Sequence, residues 1–220
     1  MTCVFFYDIM RMTMQIIKNF AVFEGGDGSG TTTQVSMLAQ RLKNLGKPAF
    51  FTTFEPTDSE IGKLIRKALK NELPIKPQTL ALLFAADRNE HLYNPCGIIQ
   101  HAKEELVVSD RYVMSSLVYQ GIECGDELPN MLNSAFPAPE ITFFLDIDAK
   151  TALSRMKDRS SLEIYEYGEF QEKVREKYKS IIDVYRARGA RVEILDASKN
   201  ADEVADQVWS IIASMPIFNI

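Results

Sequence analysis

The sequence predicts an α/β fold: a parallel five-stranded sheet with helices on both faces. Three observations carry this. Short β-type runs alternate with longer helical patterns along all 220 residues, and such alternation resolves into a parallel sheet flanked by helices. The first run, Phe20-Ala21-Val22-Phe23, is apolar at every position, as a strand buried on both faces must be. A glycine cluster follows it directly and leads into a helical pattern.

The elements follow in order. Thr32 to Leu45 reads as a helix stopped by Gly46, and Ala49 to Phe54 as the second strand. Ile61, Leu64, Ile65, Ala68 and Leu69 fall on one helical face. Pro77 opens the next helix, through Leu80, Leu83 and Phe84, because proline is favoured in a first turn. Leu106-Val107-Val108 and Ile141-Thr142-Phe143-Phe144-Leu145 are the third and fourth strands, the latter followed by a helix that Asp148 can cap. Phe170, Val174, Ile181, Ile182 and Tyr185 mark a long amphipathic helix ending at Gly189. Arg191 to Leu195 supplies the fifth strand and Ala201 to Met215 a closing helix. With no repeat, low-complexity tract or linker, residues 1–220 read as a single domain.

Residues 1–14 are expected to form a flexible N-terminal extension. Its apolar patch, Val4-Phe5-Phe6, is interrupted by Asp8 and Arg11, so it lacks the basic start and long apolar stretch of a secretory signal. Met10, Met12 and Met14 leave room for a downstream start.

The 25 basic and 30 acidic side chains leave a net charge of -5. That balance weighs against a sequence-independent nucleic-acid binder, which needs a basic face to displace counterions. No apolar run is long enough to span a bilayer. Cys3, Cys96 and Cys124 are scattered, odd in number and without metal-ligand spacing, and only His91 and His101 join them. They indicate a reduced, cytoplasmic setting rather than a disulfide framework or zinc site.

Function concentrates at the strand ends, where parallel sheets bind ligands. Gly25-Gly26-Asp27-Gly28-Ser29-Gly30-Thr31-Thr32, continuing to Thr33, follows the first strand and opens the first helix. Glycines let the backbone curl so that its N–H groups point inward, and the helix N-terminus adds positive charge, which makes an anion cradle. Thr32 stands where the P-loop pattern places the hydroxyl for Mg²⁺. Thr31 stands where that pattern has a lysine, so another cation must meet the charge developing on the phosphates.

Further candidates lie on the elements flanking this loop. Phe84 and Arg88 are four residues apart and share a helix face, an arrangement suited to stacking on a base and donating to its edge. Asp110-Arg111-Tyr112 ends the third strand, where the Asp can organise Mg²⁺ and its waters and the Arg can grip phosphate. Ser115-Ser116 and Tyr119-Gln120 follow. Taken singly, each has a plain reading that comes first: Phe84 as core, Arg88 as a surface ion pair and Tyr119 as packing.

Together these pieces resemble the thymidylate kinase family. The matching segments are Phe23-Glu24-Gly25 with Asp27-Gly28-Ser29-Gly30, Glu55-Pro56, Phe84 to Arg88, Asp110-Arg111-Tyr112, Ser115-Ser116 with Tyr119-Gln120, and Tyr165-Glu166 before Phe170-Gln171-Glu172. They run in family order from about Lys18 to near the C-terminus. The resemblance implies a fold of P-loop kinase type, Mg²⁺ with ATP as co-substrate, dTMP as acceptor and a homodimer. It places Glu55 on the acceptor side, stacks Phe84 on thymine and sets Arg88 and Gln120 at the polar edge of the base. It brings Asp27 to the acceptor sugar and Arg111 to the acceptor phosphate. Ser116 and Tyr119 line the pocket, and Tyr165 disfavours a 2′-hydroxyl. A mobile lid over the phosphates corresponds to residues 155–166.

Three departures from the family pattern remove basic side chains: Thr31 in the loop, Phe54 before Glu55-Pro56 and Ile164 before Tyr165. Gly28 stands where some members carry a loop arginine, so the lid is expected to supply the catalytic cation. Arg159 is the candidate, with Arg155 and Lys157 near it; a solvated turn is the plain alternative reading of Lys157-Asp158-Arg159. The expected reaction is transfer of the γ-phosphoryl of ATP to dTMP. The alternatives are a nucleotide-binding homologue impaired in transfer, and a kinase of another nucleotide or deoxynucleoside.

Overall fold

The computed structural model describes residues 14–46, 49–156 and 168–218. Five strands form one sheet: β1 (Ile16–Gly25), β2 (Phe50–Phe54), β3 (Leu106–Asp110), β4 (Ala138–Asp146) and β5 (Val192–Asp196). Their spatial order is β2-β3-β1-β4-β5, and every neighbouring pair is parallel. The helices between them are α1 (Thr31–Leu45), α2 (Glu60–Leu69), α3 (Pro77–Tyr93), α4 (Ile98–His101), α5 (Val113–Cys124) and α6 (Glu127–Asn133). After β4 come α7 (Ala149–Met156), α8 (Gly168–Ala187) and, beyond β5, α9 (Ala201–Ile212).

The unbroken apolar run of β1 is explained by its central place. Phe20 and Val22 face one core with Val107, Phe144, Val192 and residues of α2, α3, α5 and α8. Ala21 and Phe23 face the other with Val108, Phe143, Leu145 and residues of α1, α7 and α9. Phe23 and Phe143 stack with ring centroids 5.0 Å apart, and burying a side chain of that size contributes about 2–3 kcal/mol.

Several boundaries differ from the sequence expectation. β1 starts at Ile16 rather than Phe20, because Ile16 and Ile17 pair with Ala138 and Pro139 across an irregularity before Ala21. Asn19 there has φ 58, a conformation asparagine tolerates, and its side chain donates to Ala102 O at 3.0 Å. The loop's first glycine, Gly25, pairs with Leu145 and belongs to the strand. Helix α1 begins at Thr31 and α9 ends at Ile212 instead of Met215. Met14, expected in the flexible extension, packs partly buried against the first core; residues 1–13 lie outside the described part.

Local signals fix other ends as anticipated. Gly46 (φ 70) closes α1 by donating to Leu42 O, Pro77 occupies the first turn of α3, and Asp148 Oδ1 accepts from Thr151 N at 2.9 Å to cap α7. The segments leaving β1 and β3 depart to opposite faces: α1 contributes Val35, Leu38 and Leu42 to the second core, while α5 contributes Val113, Leu117 and Val118 to the first. In parallel sheets ligands bind in the crevice beyond the strand ends where two such paths diverge.

Candidate active site

The loop after β1 is a tight turn with Ser29 N donating to Gly26 O at 3.1 Å. Gly28 (φ 80) and Gly30 (φ 95, the residue before α1) adopt left-handed backbone, which only glycine takes without strain. A β-carbon at Gly25 would be crowded by Ser29 Cβ at 3.0 Å and by the Leu145 backbone oxygen at 3.1 Å, so the curl favours glycine for space as well. The loop delivers the N-terminus of a 15-residue helix to the crevice. Thr31, in the lysine's place, is buried, while Thr32 and Thr33 are exposed at that terminus.

Opposite the loop stands the end of β3. Thr32 Oγ1 donates to Asp110 Oδ2 at 2.5 Å, joining residues 78 apart in sequence. Asp110 Oδ1 is buried without a hydrogen-bond partner. A hydroxyl beside a carboxylate with spare buried acceptor capacity is an all-oxygen donor set, the kind that suits Mg²⁺ bound together with phosphates.

Arg111 turns out of β3 with φ 70. Its backbone N–H donates to Phe23 O at 2.8 Å, and its guanidinium pairs with the Asp27 carboxylate inside the loop. The guanidinium carbon also lies 5.2 Å from the centre of the Tyr119 ring. Burial alone would lower its pKa, but Tyr119, Asp27, Tyr178 and Asp110 outweigh that and hold it well above the ordinary value. It is a permanent cation between the two halves of the crevice. Burial likewise holds the Tyr119 phenol above its usual range, and its hydroxyl donates to Asp27 Oδ1 at 3.3 Å.

The third wall is built on Glu55 and α3. Glu55 follows β2, and its backbone N–H donates to Asp110 O at 3.0 Å. Arg88 is 1% exposed; Nε and Nη2 donate to Glu55 Oε2 at 2.9 and 2.6 Å. Nη2 also reaches Ser116 Oγ at 2.9 Å and Tyr112 O at 3.1 Å, and Nη1 meets Asn133 Oδ1. The expectation of Arg88 as a surface ion pair is thus corrected: the pair exists but is buried, with the guanidinium fixed from several elements. Phe84, one turn before it on α3, is half-buried against the first core. Gln120 on α5 is 2% exposed, with Oε1 buried and unpartnered.

The loop residues from Gly25 to Thr33, together with Asp110, Arg111, Tyr119, Ser116, Arg88 and Glu55, form this connected set. Arg155 lies exposed in the last turn of α7. Arg159 and Tyr165 lie outside the described residues, as does segment 157–166 of the expected lid. Sequence reasoning gave no role to Glu24, His91, Asn133, Tyr178 or Gln171. His91 Nδ1 lies 3.1 Å from Glu55 Oε1 and Nε2 lies 2.6 Å from Thr53 Oγ1. Gln171 Nε2 donates to Asp27 Oδ2 at 3.5 Å. Glu24 and Gln171 carried a signal as members of the matching segments Phe23-Glu24-Gly25 and Phe170-Gln171-Glu172, and Glu24 is also the charge that follows the apolar run of the first strand. It is 1% exposed, and burial, outweighing the Ser115 and Tyr178 hydrogen bonds and the Arg111 charge, raises its pKa to about 7.

A parallel sheet in this order, with an anion cradle on its central strand and a strand-end Asp-Arg pair facing it, is the architecture of a P-loop nucleotide kinase. The sequence profile of the thymidylate kinase family matches residues 23–208. A protein named "Probable thymidylate kinase" from Methanococcus aeolicus is 39% identical over 196 residues, covering 87% of this chain and 94% of its own. Another of the same name, from Methanocaldococcus jannaschii, is 37% identical over 198 residues, covering 90% of this chain and 97% of its own. A solved thymidylate kinase structure from Candida albicans superposes with a TM-score of 0.73 at 28% identity, covering 90% of this chain and 92% of that one. The chain belongs to the thymidylate kinase family, whose reaction is the ATP-dependent phosphorylation of dTMP to dTDP. Among the described residues no helix is long and apolar enough to cross a membrane.

Proposed function

We propose that this chain transfers the γ-phosphoryl of ATP in line to a 5′-phosphate oxygen of dTMP. A bond forms between that oxygen and the γ-phosphorus, the bond to the β–γ bridging oxygen breaks, and ADP leaves. The acceptor is already an anion, so positioning and charge neutralisation carry the reaction without a strong general base. The observation that carries this reading is the Arg111–Asp27 ion pair, which sets a permanent cation from the acceptor side against the loop for the donor phosphates.

Residues 25–33 cradle the phosphates of ATP, and Arg111 holds the acceptor phosphate. Phe84 stacks on thymine, Arg88 and Gln120 address its polar edge, and Glu55, itself buried, holds Arg88. Asp27 and Tyr165 flank the sugar, and Ser116 and Tyr119 complete the pocket. Thr32 and Asp110 would hold Mg²⁺, and the ion would neutralise charge on the transferring phosphates. Arg159, assisted by Arg155, supplies from the lid the cation that Thr31 does not, and lid closure excludes water from the transferring group.

The exposed apolar side chains Leu64, Leu82 and Met131 lie on α2, α3 and α6, of which α3 adjoins both of the others, and support association as a homodimer. Free Cys96 and Cys124 fit a cytoplasmic setting. The test is a coupled ADP-release assay with dTMP and Mg²⁺-ATP on the parent and on Thr31→Lys. The parent releases ADP in a dTMP-dependent manner. Release from the variant alone would mark the parent as a nucleotide binder without transfer.

A further inference from the structure

Glu24 is a charge inside the sheet. It sits in β1 between Phe23 and Gly25 and is not among the groups assigned above to nucleotide or acceptor. A buried carboxylate is costly unless fully hydrogen-bonded, and here each oxygen takes two donors. Oε1 accepts from Tyr112 N at 2.9 Å and Ser115 N at 3.2 Å; Oε2 accepts from Ser115 Oγ at 2.6 Å and Tyr178 Oη at 2.9 Å.

Two of these donors are backbone N–H groups at the start of α5, those of Tyr112 and Ser115. The residue before that helix, Tyr112, makes no side-chain cap, and the first turn has no acidic residue; the Tyr112 hydroxyl donates instead to Pro137 O at 3.0 Å. The cap comes from β1. A carboxylate there satisfies orphan N–H groups and meets the positive end of the helix dipole.

Between Asp110 and the capped Tyr112 lies Arg111, whose left-handed backbone costs on the order of 1 kcal/mol and persists only where its surroundings fix it. Both restraints come from consecutive residues of β1: Phe23 O accepts from Arg111 N at 2.8 Å, and Glu24 takes the next N–H. The side chain is restrained as well. The Ser115 hydroxyl gives its proton to Glu24, so its lone pairs face elsewhere, and Arg111 Nη1 donates to that oxygen at 3.4 Å.

We infer that Glu24 is a positioning residue for the acceptor phosphate: it caps α5 from the neighbouring strand and orients the Ser115 hydroxyl, so that Arg111 is aimed into the acceptor site. This rests on the reading of Arg111 as the group that holds that phosphate.

The experiment is calorimetric binding of dTMP and of thymidine, which lacks the phosphate, to the full chain, its Glu24→Gln variant and its Ser115→Ala variant. Glu24→Gln should weaken dTMP roughly tenfold and thymidine less than about twofold, the scale of one misdirected charged hydrogen bond. A merely structural defect in α5, which also carries Ser116, Tyr119 and Gln120, would weaken both ligands by the same factor. That result, or no change in either, overturns the inference. Should Glu24→Gln fail to fold, Ser115→Ala keeps the backbone caps and decides by the same comparison: a loss of roughly threefold confined to dTMP supports the inference, and equal or no loss overturns it. An Arg111→Ala variant that binds dTMP like the parent would overturn the assignment of Arg111 itself, and the inference with it.

Discussion

Arg88 Nη2 lies 2.6 Å from Glu55 Oε2, with the two side chains 1% and 2% exposed. The pair joins α3 to the segment after β2, and Tyr112 O, Ser116, Asn133 and His91 are its further polar partners. It holds the helix carrying Phe84 against the strand end carrying Asp110.

Glu55→Ala therefore leaves a guanidinium buried without its carboxylate. Breaking such a pair costs about 3–5 kcal/mol. Urea unfolding of parent and variant measures it, and a loss below about 1 kcal/mol would place the pair with solvent-screened ones.

The joining of Thr32 to Asp110 predicts a metal-specific defect. Asp110→Asn keeps an acceptor for the Thr32 hydroxyl but lowers the charge offered to a cation. The Mg²⁺ concentration for half-maximal ADP formation should rise roughly tenfold, with dTMP binding in the absence of metal unchanged. An unaltered Mg²⁺ titration removes Asp110 from that role.

Arg159→Ala should lower turnover roughly a hundredfold or more while changing dTMP affinity less than about threefold, because a lid cation acts on charge that develops only in the transition state. Equal turnover in variant and parent would leave Arg159 as a solvated turn residue.

Glu24 gives stability a pH dependence of defined sign. Its folded pKa of about 7 is above the usual 4.5, so between those values the folded chain holds a proton that the unfolded chain has released. Its contribution falls as pH rises through that window, by on the order of 3 kcal/mol in all, and is flat on either side. The stability of the parent relative to Glu24→Gln should thus decline from pH 4.5 to 7.5 in urea unfolding. Parallel curves would show that burial does not shift the group.

The sequence by itself determined the sheet, the loop and the family. Periodicity and punctuation are local: an all-apolar Phe20 to Phe23 has only a two-sided core to enter, and Gly28 and Gly30 supply backbone states other residues resist. Asp110 and Arg111 were legible because a strand end next to a glycine loop is where ligands bind. The tertiary structure alone decided what depends on contacts between distant segments. Nothing near Arg88 in sequence says that Glu55 removes it from solvent, and nothing near Ser115 says that Glu24 on another strand caps its helix. The extension of β1 to Ile16 depends on pairing with β4, more than a hundred residues away. Local chemistry sets which conformation each segment prefers; which charges can be buried is set by the partners that folding brings to them.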